Sequence, residues 1–300
     1  MSIINLDLVH TISRENIQEM IIWKPRRWKL SDGWEALHEP KGQANDWSIL
    51  LPFCETFEKA FENMCLVSHI GLRKVKDDRG QTFLKDNSPE ALEKVKGWLE
   101  LIGKYVAIRD CLTLSFALDY DRKNGDPEKP QTRIGELRTR AKPYDRIPIA
   151  DTYQAAKELS RACLDFLEKM TCYNPATCVV GMPPSRPDKA FDLPAYLASN
   201  IAKELNKPDL TFLVKTIKER PPLKDEQIEK KLDSIEGTVA VDPYGLKKHA
   251  VLLVDDLYQS GVSTNYVAML MLEAGAKEVF GLACEKTCRN DDNVARSSIK

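Results

Sequence analysis

The run Ala250 to Thr264, AVLLVDDLYQSGVST, constrains this chain more than any other stretch. Val251 to Val254 are consecutive apolar residues, the pattern of a strand buried on both faces. Two carboxylates, Asp255 and Asp256, end that run abruptly. A short polar loop follows, with Ser260, Gly261, Val262, Ser263 and Thr264 leading into an apolar helix. Strands of this kind belong to parallel sheets covered by helices, where ligands sit beyond the carboxyl ends of the strands. The acids are therefore expected at a sheet rim, beside the unpaired amides of a helix start. Amides there can grip a phosphate and acids a sugar diol, so a sugar phosphate is the expected ligand class.

The flanking sequence repeats the same architecture. Leu112 to Tyr120, Ala176 to Met182, Thr211 to Ile217 and Lys277 to Cys284 read as further strands. Helices alternate with them: one from Asp151 to about Met170, capped by Asp151 or Thr152; one opened by Asp192; and one from Ser263 to Ala274, stopped by Gly275. The alternation predicts an α/β domain over residues 109–288, a parallel, Rossmann-like sheet with helices on both faces, and then a polar tail over 289–300.

Residues 1–108 predict a mostly helical, Trp-rich accessory region, read as a lid or a homodimer contact. Leu51 to Leu72 has helical spacing, Ser88-Pro89-Glu90 opens a second helix, and 73–88 reads as a loop or hairpin. Trp23, Trp28, Trp34 and Trp47 crowd an irregular segment, where Arg26 and Arg27 could stack on a base or bind phosphate but read rather as a solvated charge pair on an aromatic mini-core.

Lys and Arg total 44 against 45 Asp and Glu, and this balance does not indicate a nucleic-acid binder. A local contact patch over Arg133 to Arg146, with Arg138 and Arg140 foremost, is the one nucleic-acid reading left. No apolar run is long enough to cross a bilayer and no export signal opens the chain, so no membrane partner is expected. Eight cysteines without a CxxC pair argue against structural zinc and for reduced, cytoplasmic thiols.

The motif run resembles the phosphoribosyl diphosphate (PRPP) loop of type I phosphoribosyltransferases. The match covers the strand, Asp255, Asp256, Ser260, Gly261 and Ser263, and departs at Tyr258 and Gln259. A second run, Val179 to Leu205, carries Pro184, Ser185, Arg186, Lys189, Phe191, Asp192 and Leu193 in an order similar to the ComF-like, competence-associated branch of that family. The resemblance implies transfer of a phosphoribosyl group from PRPP to a nitrogenous base, with release of pyrophosphate. It implies ribose and Mg²⁺ contacts from Asp255 and Asp256, and a 5′-phosphate held by Ser260, Gly261, Val262, Ser263 and Thr264. Pyrophosphate would be met by Pro184, Ser185, Arg186 and Lys189. The catalytic set so implied is Asp255, Asp256, Arg186 and Lys189. Lys218 to Tyr244, charged and proline-initiated, is read as a mobile flap over the ligand. Pro221, Lys224, Lys231 and Ser234 stand where the family carries other residues. The alternative is therefore a PRPP or nucleotide sensor without turnover, or a DNA-associated accessory factor.

Overall fold

The computed structural model describes residues 10–23, 25–30, 36–40, 46–53, 55–64, 72–74, 81–84, 87–143, 149–187, 191–219 and 226–288. In chain order these form α1 (Arg14–Ile22), β1 (Arg27–Trp28), β2 (Leu37–His38), β3 (Ser48–Leu50), α2 (Glu55–Asn63), β4 (Leu72–Lys74), β5 (Gln81–Leu84), α3 (Pro89–Ile102), β6 (Val106–Ile108) and β7 (Leu114–Tyr120). There follow α4 (Arg133–Arg140), α5 (Ile149–Lys169), β8 (Cys178–Gly181), α6 (Leu193–Glu204), β9 (Val214–Thr216), α7 (Lys231–Ile235), β10 (Val239–Val241), β11 (Ala250–Tyr258), α8 (Val262–Glu273) and β12 (Glu278–Lys286).

The apolar runs build one six-stranded sheet in the order β1-β6-β7-β12-β11-β8. The strands β7, β12, β11 and β8 are parallel, while β6 and β1 extend one edge antiparallel. Strand alternation sends Leu252, Val254, Phe280 and Leu282 into a core shared with α5 and α6. Val251, Leu253 and Val279 enter a second core with α1, α7 and α8. Each fully buried aliphatic chain contributes about 1.5–3 kcal/mol, so burial on both faces fixes β11 as an interior strand, between β12 and β8. The fold is α/β, mostly parallel and helix-flanked, compatible with a Rossmann-like arrangement. Among the described residues no helix is long and apolar enough to cross a membrane.

Several sequence expectations hold in detail. The Ser88 hydroxyl accepts the Ala91 N–H ahead of α3, and the Asp192 carboxylate accepts the Ala195 N–H ahead of α6. Gly275, at φ 91°, follows the end of α8 in the left-handed region. The expected hairpin near residue 80 is the antiparallel pair β4–β5.

Others are corrected. Thr211 to Ile217 is not a strand of the central sheet. Asp209 accepts from the Thr211 N–H and hydroxyl, an Asx-type turn that steers the chain off the sheet edge after a single bridge to Val179. Residues Val214–Thr216 instead pair antiparallel with Val239–Val241 as a separate ribbon. Helix α5 begins at Ile149, so Asp151 and Thr152 lie inside its first turn rather than at its cap. The Leu51 to Leu72 expectation is met only by α2; residues 65–71 lie outside the described set.

Among the described residues the first third is not mostly helical. It contains a four-stranded antiparallel sheet, β2-β3-β5-β4, and its β1 and β6 join the central sheet. The boundary drawn at 108 thus falls at the end of a sheet strand. The segment read as a mobile flap is in large part docked. Leu232 and Ile235 are buried in the α8 core, and Arg14 of α1 pairs with both Asp233 and Glu236. Residues 220–225 and the tail from 289 lie outside the described set.

Candidate functional site

The carboxyl ends of β8, β11 and β12 meet at one rim, where the motif loop stands. Strand β11 runs on to Tyr258 instead of stopping at Val254, because its pairing with β12 continues through Leu257↔Glu285 and Tyr258↔Lys286. Only Gln259, Ser260 and Gly261 then separate strand from helix. Gly261, at φ 78°, turns the chain into α8, and a Cβ there would collide with the Tyr258 hydroxyl.

Every carbonyl of that short loop is held by a buried side chain. Lys286 Nζ donates to Gln259 O at 2.7 Å. Both terminal nitrogens of Arg26 donate to Ser260 O, at 3.0 and 2.9 Å. Asn265 Nδ2 donates to Gly261 O at 2.8 Å. In a trans peptide the C=O and N–H point in opposite directions. Drawing these three oxygens inward therefore turns the N–H groups of Ser260, Gly261 and Val262 the other way. The Ser263 and Thr264 amides, in the first turn of α8, have no helical acceptor by construction. Among the described residues none of these five N–H groups has a protein partner, and neither do the hydroxyls of Ser260, Ser263 and Thr264. The arrangement is a cradle of donors at a helix N-terminus, the chemistry that binds phosphate.

The two acids do not converge. Asp255 folds over its own chain, its Oδ1 accepting the Asp256 N–H at 2.8 Å and the Leu257 N–H at 3.5 Å. Asp256 turns toward α4, where Arg138 Nε meets it at 2.8 Å and Lys142 Nζ at 2.6 Å. Arg138 also donates to Glu285 Oε1 at 2.8 Å, while Glu285 Oε2 is buried without a partner. Burial, then the neighbouring Asp256 charge, pushes the Asp255 carboxyl up to about 7. Burial also opposes ionisation of Asp256, but Lys142 and Arg138 outweigh it and hold that carboxyl below its ordinary value. Burial pushes Glu285 up to about 7 against the pull of Arg138.

The expected Mg²⁺ contacts fit these side chains poorly. Asp256 already faces two cations, and the described residues include no group of three His, Cys, Asp or Glu side chains able to hold a metal. A metal at Asp256 would have to displace Lys142 or Arg138, so no chemical step is assigned through it.

The chain matches no protein-family model and no curated protein.

The second run leaves the carboxyl end of β8, at the same rim of the sheet. The Met182 N–H donates to Val254 O at 2.8 Å, which ties the turn to β11. The Thr216 hydroxyl of β9 donates to Pro184 O, so the antiparallel ribbon braces the turn. Ser185 and Arg186 are exposed, and Arg186 makes no ion pair among the described residues. Lys189 lies outside the described set.

Sequence reasoning missed the supports of the loop. Arg26 and Arg27 are 1% and 4% exposed, not a solvated pair: Arg26 enters beneath the loop, and Arg27 stacks on Tyr120 at 4.9 Å. Arg138 faces inward to Asp256 and Glu285, which removes it from the proposed nucleic-acid patch. The close spacing of Arg138 and Lys142 was the available signal, since a cation near the end of a helix and another just past it can reach one carboxylate. Asp110, whose Oδ2 accepts the Tyr258 hydroxyl at 3.0 Å, carried no such signal. Two concavities, one lined by Arg133, Leu137, Glu158 and Arg161 and the other by Leu30, Trp47 and Leu99, lie away from the loop.

Proposed function

We propose that this chain binds PRPP on the 259–264 loop and transfers its phosphoribosyl group to a nitrogenous base, in the manner of ComF-like phosphoribosyltransferases. The observation that carries this reading is the loop itself, with its carbonyls drawn inward and its amides left for an anion. The 5′-phosphate sits on the amides of Ser260 to Thr264 and on the loop hydroxyls. Asp255, beside the loop, accepts a ribose hydroxyl. The turn carrying Pro184, Ser185 and Arg186 faces the pyrophosphate, with Lys189 as its second cation. In the reaction the ribose C1–O bond to pyrophosphate breaks and its electron pair leaves with pyrophosphate. A C1–N bond forms to the acceptor, whose nitrogen gives up a proton. Arg186 stabilises the charge that gathers on the leaving group.

One observation favours a second reading, a PRPP sensor without turnover. Asp256 is neutralised by Arg138 and Lys142 and is not poised over a sugar.

Calorimetric titration of the full chain with PRPP in Mg²⁺ buffer, followed by a pyrophosphate-release assay across purine and pyrimidine bases, tests both. Binding with release supports transfer. Binding without release for any base supports the sensor. No PRPP binding by the folded chain overturns both.

A further inference from the structure

Two fully buried cations stand behind the candidate loop, and they come from opposite ends of the chain. Arg26 is 1% exposed and Lys286 is 0% exposed. Burying a charge is costly unless hydrogen bonds and nearby charges compensate, so two such groups at one short loop require an explanation. Neither is a local feature of the turn. Arg26 is delivered by the N-terminal region: its carbonyl accepts the Arg109 N–H at 2.8 Å, and the next residues pair with β6, Arg27 opposite Ile108. Lys286 is the last residue of β12, paired with Tyr258 immediately before the loop.

We infer that Arg26 and Lys286 are positioning residues of the anion site, each holding a loop carbonyl away from the bound phosphate. The inference rests on the reading of the loop given under Proposed function. Released from Arg26, the peptide between Ser260 and Gly261 can turn over and present its oxygen, with partial negative charge, to the anion. Released from Lys286, the preceding peptide can do the same. Both cations also place positive charge on the far side of the loop in a poorly screened interior, where it favours an anion on the amide side. The N-terminal region on this account is part of the ligand site rather than an accessory to it.

Calorimetry with ribose 5-phosphate as the probe tests this on the full chain, comparing wild type with Arg26→Met, Arg26→Lys and Lys286→Met. Thermal melts of each are run in parallel. The expected result is a loss of affinity of tenfold or more in Arg26→Met and Lys286→Met, with partial rescue in Arg26→Lys, which keeps the charge but not the two-pronged contact. Variants that melt earlier yet bind ribose 5-phosphate as tightly as wild type overturn the inference, because a merely structural role moves only the melt. Should Arg26→Met fail to fold, Arg26→Lys and Lys286→Met decide the matter, and wild-type affinity in both overturns it. A wild type that binds neither ribose 5-phosphate nor PRPP overturns the loop reading itself. Wild-type binding with unmoved variants removes only the role given to Arg26 and Lys286.

Discussion

Arg138 Nε donates to the Asp256 carboxylate at 2.8 Å, and this contact ties α4 to the strand that carries the candidate loop. Lys142, one turn further along the chain, reaches the same carboxylate at 2.6 Å. Asp256 is thus the anionic centre of a largely buried cluster. Its side chain belongs to the architecture of the rim as much as to any ligand.

Asp256→Asn should for that reason unfold more readily. Removing one partner of a buried ion pair leaves its cations uncompensated, at a cost of about 3 kcal/mol. The side chains of Arg138 and Lys142 keep some exposure, 16% and 26%, and Glu285 remains bonded to Arg138, so the loss belongs at the low end of that scale. Urea denaturation checks it, and a change below about 0.5 kcal/mol, the range of ordinary surface substitutions, would show that the cluster contributes little.

The acid cluster sets a pH dependence whose sign follows from Glu285. Its folded value, raised to about 7, lies above an unfolded value of about 4.3. The group therefore contributes stability that is complete below the unfolded value and is lost as pH rises through about 7. Asp255 has the same sign, and Asp256, whose value is lowered, has the opposite one. In Glu285→Gln the decline in stability between pH 5 and pH 8 should shrink by about 2 kcal/mol. Denaturation curves at the two pH values measure it; a decline as steep as that of the wild type contradicts the assignment.

Asn265 is the third support of the loop. It donates to Gly261 O at 2.8 Å, and its Oδ1 accepts the Cys111 N–H at 2.9 Å. Asn265→Ala leaves the Cys111 N–H unpaired, while Gly261 O loses the side-chain donor and keeps the Asn265 backbone N–H at 2.9 Å, so stability should fall by about 1–3 kcal/mol. Hydrogen exchange at the Cys111 amide should accelerate well beyond that of the core strands. An amide still as protected as in wild type would show that the contact is dispensable.

Gly261→Ala tests the turn. A non-glycine residue in the left-handed region costs about 1–2 kcal/mol, and here the added methyl also meets Tyr258. Ribose 5-phosphate affinity should fall further than stability, because the neighbouring amides move with the turn. Paired calorimetry and melting compare the two losses, and unchanged affinity would mean that the turn does not shape the cradle.

The sheet was legible because its signal is local. Val251 to Val254 announce a doubly buried strand, and Asp192 and Gly275 mark helix ends through their own backbone chemistry. The position of the loop followed from the same run. Its supports did not, because Arg26, Asp110 and Lys286 become neighbours of residues 258–260 only through tertiary packing, which no spacing rule encodes. The divergence of Asp255 and Asp256 was missed for a different reason. The strand was expected to end before them, whereas pairing with β12 carries it through both, and successive strand residues face opposite sides. Thr211 to Ile217 misled because its apolar content suits a strand while Asp209 turns the chain away.

The central claim is that the N–H groups of Ser260 to Thr264 receive a phosphate. Backbone amide resonances followed by NMR during titration with ribose 5-phosphate test it most directly. The account predicts saturable downfield shifts concentrated at Ser260, Gly261, Val262, Ser263 and Thr264. Saturable binding that leaves those five amides unmoved, while shifts gather elsewhere, would contradict it.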